Sequence, residues 1–261
     1  MNLTGLVGLV FVLLFFGLIV VSWVVGRNKP GPYLREIPAF SRLRKAVGLA
    51  VEAGTRLHVS IGNGPLTGLQ GASTLIGLNV LGRIARAASI SDRPPIATSG
   101  DGSLTILAQD TLRGAYQTLG AEGQYQHTSG RLTGLTPFSY AAGAIPVIRD
   151  EQVSANVLIG HFGSEVALIN DAAEQSKSMT IAGTDSLPGQ AVMYATAQEP
   201  LIGEEVFAGG AYLGSGPIHE ASLRTQDLLR ILVVLFIIAS AVLRLTGMED
   251  VVLDTLAGFF P

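Results

Sequence analysis

Residues 3–25 form an unbroken apolar run without one charged side chain, and that run constrains everything after it. As an α-helix rising 1.5 Å per residue it measures about 34 Å, against a hydrocarbon layer of about 30 Å, so it reads as a spanning helix. The competing reading is a cleaved signal peptide. Against it, no Lys or Arg precedes the run, the run is longer than an h-region, and no A-x-A site comes after it. Trp23 near its end suits the headgroup level, where an indole keeps its N–H hydrated.

The flanks set the expected orientation. Asn2 and the α-amino group stand on one side, while Arg27, Lys29, Arg35, Arg42, Arg44 and Lys45 stand on the other, with Glu36 the acid among them. By the positive-inside rule, the residues after the run stay in the cytoplasm. A second apolar run, 228–245, is interrupted only near its ends, by Arg230 and Arg244, and as a helix is about 27 Å long. It spans if both arginines snorkel to opposite interfaces. Its uncharged centre is short enough for a buried or interfacial helix, but Ile231, Val234, Phe236 and Ile238 make it apolar all round, which favours the spanning reading. The whole chain is 48% hydrophobic and only 14% charged, where about 25% charged is usual. A net charge of -3 argues against a general nucleic-acid binder, and the absence of cysteine excludes disulfides, thiolate metal sites and thiol nucleophiles.

Between the runs, short apolar segments alternate with Gly-rich turns and longer small-residue segments. The first unit is a strand at 56–61, the turn Gly62-Asn63-Gly64-Pro65, and a helix at 66–88. The second is 96–99, Gly100-Asp101-Gly102, then 103–119; the third is 124–128, Ser129-Gly130, then 137–149. The fourth is 155–159, Gly160-His161-Phe162-Gly163, then 164–175; the fifth is 179–182, Gly183-Thr184-Asp185-Ser186, then 188–197. Serial β-turn-α units imply an α/β fold: a Rossmann-like parallel sheet with flanking helices, here with an N-terminal and a C-terminal transmembrane helix. The expected organisation is an N-terminal transmembrane helix at 1–26, a basic juxtamembrane linker at 27–46 with a short helix from Ser41, and a cytoplasmic α/β domain at 47–222. A C-terminal transmembrane helix at 223–246 and a short amphipathic tail at 247–261 complete it.

In such a sheet ligands bind at the carboxyl ends of the strands, where helix N-termini present free N–H groups. The candidates are therefore the turn residues. Gly62, Asn63 and Gly64, with Gly68, give G-x-G-x-x-x-G, near the dinucleotide fingerprint but not on its spacing; the other reading of these glycines is purely structural. Ser99, Gly100, Asp101, Gly102 and Ser103 could cradle an anion, with Asp101 on a cation or hydroxyl, or Asp101 and Ser103 could simply cap a helix. Ser103, Ser164 and Ser186 are expected N-caps. His161, beside Ser164 and Glu165, is the candidate for acid–base work, against a structural role as a hydrogen-bonded turn residue. His127 joins the same edge if the strand at 124–128 forms, and Thr184 and Asp185 complete the set. No P-loop, no H-E-x-x-H and no G-x-S-x-G occurs, so no cofactor, metal or catalytic residue is specified.

The segments Ser60-Ile61-Gly62-Asn63-Gly64, Ala97-Thr98-Ser99-Gly100-Asp101-Gly102 and Leu158-Ile159-Gly160-His161-Phe162-Gly163-Ser164-Glu165, set between an N-terminal anchor and a closing apolar helix, resemble a family of bacterial membrane proteins of unknown function. The resemblance implies architecture and no activity. The expected function is a membrane-anchored scaffold or ligand-sensing subunit with the lipid bilayer and a homo- or hetero-oligomeric membrane partner around it. The alternative is an enzyme or binding protein for a small anionic or nucleotide-like ligand.

Overall fold

The computed structural model describes residues 3–26, 35–68, 70–89, 91–214 and 216–247. The chain divides into two units, Met1–Tyr33 with Gly216–Pro261, and Leu34–Ser215. The first holds α1 (Leu3–Gly26) and α9 (Pro217–Leu245), both long and apolar enough to cross a membrane. They pack on each other, and at the buried Thr225 the hydroxyl lies 3.1 Å from Ser22 Oγ across the pair. The helix of the second run begins at Pro217, well before the apolar residues start, because proline is favoured in a first helical turn and nothing after it breaks the ladder. The tail expected at 247–261 lies, beyond Gly247, outside the described residues.

In the second unit the elements run α2 (Pro38–Ala53), β1 (Arg56–Gly62), α3 (Gly71–Ala87), β2 (Ile96–Ser99), α4 (Gly102–Thr118), β3 (Gly130–Leu132) and α5 (Pro137–Asp150). They continue with β4 (Val153–His161), α6 (Val166–Gln175), β5 (Met179–Thr184), α7 (Leu187–Thr196), β6 (Glu199–Leu201) and the short α8 (Gly209–Tyr212). The strands form a six-stranded sheet in the order β3-β2-β1-β4-β5-β6, every neighbouring pair parallel. Helices α2, α3 and α4 cover one face, where Leu57, Val59, Ile61, Val157 and Ile159 are buried with Phe40, Leu81 and Leu112. Helices α5, α6 and α7 cover the other, around Tyr140, Leu158, Phe162, Ile169 and Met193.

Several expectations are corrected. The helix expected from Ser41 starts at Pro38, and Phe40, Leu43 and Val47 are core residues, so the packed unit reaches back into the segment read as a linker. No strand forms at 124–128. Single turns of 3-10 helix occupy Glu122–Gln124 and His127–Ser129, and the strand is Gly130–Leu132. Gly130 is required there, since a Cβ on it would stand 2.6 Å from Gln109 Cγ of α4. Helix α3 begins at Gly71 rather than 66, after Gly68 turns the chain at φ +126. The sixth strand, β6, carries Pro200 and is tolerated as an edge strand paired on one side.

Candidate functional site

Adjacent β1 and β4 send their chains to opposite faces, β1 into α3 and β4 into α6. Their carboxyl ends therefore flank the topological switch point, the place where doubly wound sheets open a crevice. Gly62 pairs in register with His161, and the Asn63 N–H donates to the His161 carbonyl at 3.1 Å. Gly62 has φ +82, and a Cβ on it would come 2.2 Å from the His161 carbonyl oxygen; one on Gly64 would come 2.5 Å from His161 Cβ. On the other side the Gly100 N–H donates to the Gly62 carbonyl at 2.9 Å, and Gly100 lies against Asn63. These glycines let three strand ends close on one another.

At the centre, His161 Nδ1 lies 2.7 Å from Asp185 Oδ1, joining the turns after β4 and β5. Both side chains are partly exposed. With Asp185 accepting, Nδ1 carries the proton of this bond. Thr184 is buried beneath the pair, its hydroxyl accepting from the Phe162 N–H at 3.0 Å. Glu165 is buried too and accepts the Gly163 N–H at 2.8 Å, whereas Ser164 is exposed.

The remaining sequence candidates are placed elsewhere or already engaged. Asp101 caps α4, its Oδ1 accepting from Ser103 N–H at 2.9 Å, Leu104 N–H at 3.1 Å and the Ser103 hydroxyl. Those bonds, the Ser103 hydroxyl first, hold its carboxyl below the usual range. The cap is thus Asp101 and not Ser103, and Gly102 and Ser103 open the helix. Ser99 is buried, 2.6 Å from Thr105 Oγ1. Ser164 does not cap α6, while Ser186 does cap α7. His127 precedes β3 and so lies at the amino edge of the sheet, away from His161, because the strand starts after it. Among the described residues no group of three or more His, Asp or Glu stands together as a metal cage.

A buried polar chain, not anticipated from the sequence, leads into this site. His58 Nδ1 lies 2.6 Å from Asn156 Oδ1 and its Nε2 lies 2.8 Å from Thr98 Oγ1. Thr98 Oγ1 is 3.3 Å from the Tyr140 hydroxyl, which also bonds Ser60 and accepts the Gly62 N–H at 3.3 Å. Burial lowers the pKa of His58 from 6.5 to about 4, with the Asn156 bond opposing and the charge of Arg131 adding to it. The ring is neutral, so Nδ1 donates to Asn156 and Nε2 accepts from Thr98. The signal lay in β1: a strand expected to be buried on both faces alternates Leu57, Val59, Ile61 with His58 and Ser60.

This is a doubly wound α/β domain with a histidine–aspartate pair at its switch point, carried by a chain with two membrane-length helices. Its loop departs from a dinucleotide site: the Gly62 and Asn63 amides are bonded within the protein, α3 starts only at Gly71, and β2 ends in Thr98-Ser99 with no carboxylate for a ribose. The chain belongs to the family described as a domain of unknown function (DUF6754), whose match covers residues 1–254. No curated protein and no solved structure matches it.

Proposed function

We propose that the protein is a membrane-tethered ligand-sensing subunit that takes a small anionic or nucleotide-like molecule at the switch point, against Asn63, His161 and Asp185. The observation that carries this reading is the His161–Asp185 bond at 2.7 Å beside the β1 turn: a partly exposed imidazole, oriented from behind, at the position where this topology opens a crevice. The basic residues after α1 favour a cytoplasmic location for the domain under the positive-inside rule, and α1 and α9 hold it to the cell membrane. Leu135 (72% exposed), Phe138 (63%) and Leu187 (77%) come after the carboxyl ends of β3 and β5, and an apolar rim there suits a partner subunit in the assembly. An enzymatic reading uses the same pair, since a carboxylate-oriented imidazole is the arrangement of a general base. Binding is preferred because the His161 ring has no hydroxyl nucleophile or second titratable group bonded to it among the described residues.

The test is thermal unfolding of the full chain in mild detergent with ATP, NAD, phosphoenolpyruvate and inorganic phosphate. A true ligand at a hundredfold excess over its Kd raises the midpoint by about 5–10 °C. Asn63→Ala with His161→Gln removes that rise. The ligand part fails if none of the compounds shifts the midpoint. A monomeric chain that captures no partner on crosslinking removes the assembly part.

A further inference from the structure

On the face covered by α2 and α3 lies a cavity of about 410 Å3. Leu43 and Val47 of α2, Ile84 of α3 and Leu213 supply its apolar wall, and Arg44, Arg83 and Arg86 supply its charge. Helix α3 starts at the carboxyl edge of the sheet and ends at the amino edge, so its last arginines are remote from His161 along the fold. The wall residues Leu43, Val47 and Ile84 are buried, whereas Arg83 is half-buried and Arg44 and Arg86 are exposed. Arg83 is held in place, its Nε donating to the Leu213 carbonyl at 2.8 Å.

The charge here is uncompensated. Arg35 and Arg42 pair with Glu205 and Glu199, and Arg56 and Arg131 share Glu151. Among the described residues no carboxylate pairs with Arg44, Arg83 or Arg86. Partial desolvation at the cavity mouth, and then the neighbouring charge of Arg83, push the pKa of Arg86 down, as expected for guanidinium groups crowded without a counterion. A complementary ligand has an oxyanion for the forked guanidinium donors and an apolar body for the wall, and about 410 Å3 is within the size of small-ligand sites. Phosphate esters meet the first requirement whether lipid or soluble. The apolar wall and the connectivity select the lipid: Leu213 closely precedes Pro217, where a membrane-length helix begins, and Arg44 belongs to α2, which follows α1 among the described residues.

We propose that this cavity seats the phosphate of an anionic phospholipid, with Arg44, Arg83 and Arg86 on the phosphate and the acylglycerol end over Leu43, Val47 and Ile84. The site is separate from the His161–Asp185 pair and does not depend on the reading proposed for that pair.

The experiment is native mass spectrometry of the full chain released from micelles holding equal amounts of phosphatidylglycerol and phosphatidylcholine. Wild type retains phosphatidylglycerol with about tenfold preference or more, and each of Arg44→Gln, Arg83→Gln and Arg86→Gln lowers the preference about fivefold. A Lys177→Gln variant removes a charge after α6, on the opposite face of the sheet, and leaves the preference within about twofold, because surface charge beyond a Debye length is screened. If Arg83→Gln unfolds through loss of its Leu213 bond, Arg44→Gln and Arg86→Gln carry the test, as their side chains make no hydrogen bond among the described residues. Equal loss in the lysine variant, or no loss in the arginine variants, overturns the site. A melting shift by inorganic phosphate in phosphatidylcholine micelles that Arg86→Gln abolishes, without any lipid preference, overturns the lipid source.

Discussion

The two faces of the sheet are made by alternate residues of the same strands, yet they are held in different ways. Toward α2, α3 and α4, β1 and β4 present Leu57, Val59, Ile61, Ala155, Val157 and Ile159, all buried hydrocarbon. Such contacts are non-directional, so they fix how much surface is covered more than which atom meets which. Toward α5, the next residues along are His58, Ser60 and Asn156, joined by Thr98 of β2, and each is buried with a polar atom to satisfy. Directional bonds across β2, β1 and β4 make register costly to change, because a slipped strand leaves His58 and Asn156 facing hydrocarbon. The polar face also ends at the candidate site, where the Tyr140 hydroxyl receives the Gly62 N–H. One face thus supplies most of the cohesion, and the other ties the strand ends that carry His161 to the core.

The largest effect expected is on the apolar face. Ile159→Ala removes a fully buried side chain and should cost about 4 kcal/mol, read as a lowered denaturation midpoint of the full chain in detergent. A cost under about 1 kcal/mol would mean that this face is loosely packed and the contrast false.

On the polar face acid should act through His58. The folded pKa of His58, about 4, lies below its unfolded value of 6.5, so the unfolded chain takes up the proton first. The contribution is whole above pH 6.5 and is lost as pH falls toward 4, up to about 3 kcal/mol. His58→Leu is less stable at neutral pH, where Asn156 loses its donor, but lacks this part of the acid slope. Identical slopes in the two proteins would show that His58 is not held neutral by burial.

Tyr140→Phe is expected to have the smallest effect, about 2 kcal/mol, since it orphans the Gly62 N–H and a bond to Ser60 without opening a large cavity. Amide hydrogen exchange sharpens the comparison: Gly62 should lose protection while Val59, bonded on both sides within the sheet, keeps it.

How far these features were legible depends on how local their causes are. Strands β1 and β2 are readable because an apolar run ends at Gly62 or at Gly100, and β4 and β5 likewise end near glycines. The three-residue strands β3 and β6 carry no comparable run, and each exists through pairing with a neighbour on one side. His161 and Asp185 are each visible as turn residues, but their meeting requires that β4 lie beside β5. His127 went the other way: a misplaced strand put it on the wrong edge.

From the sequence alone came two helices of membrane length and an alternation of strand and helix that allows only an α/β sheet. Both arise from residues a few positions apart, through the periods of 3.6 and 2 and through glycine's freedom at turns. Strand order, the switch point between β1 and β4, the His58–Tyr140 chain and the arginine-lined cavity were decided by tertiary structure. Parallel strands pair through backbone groups common to all residues but proline, so no local pattern names a strand's neighbour; the packing of both faces at once does.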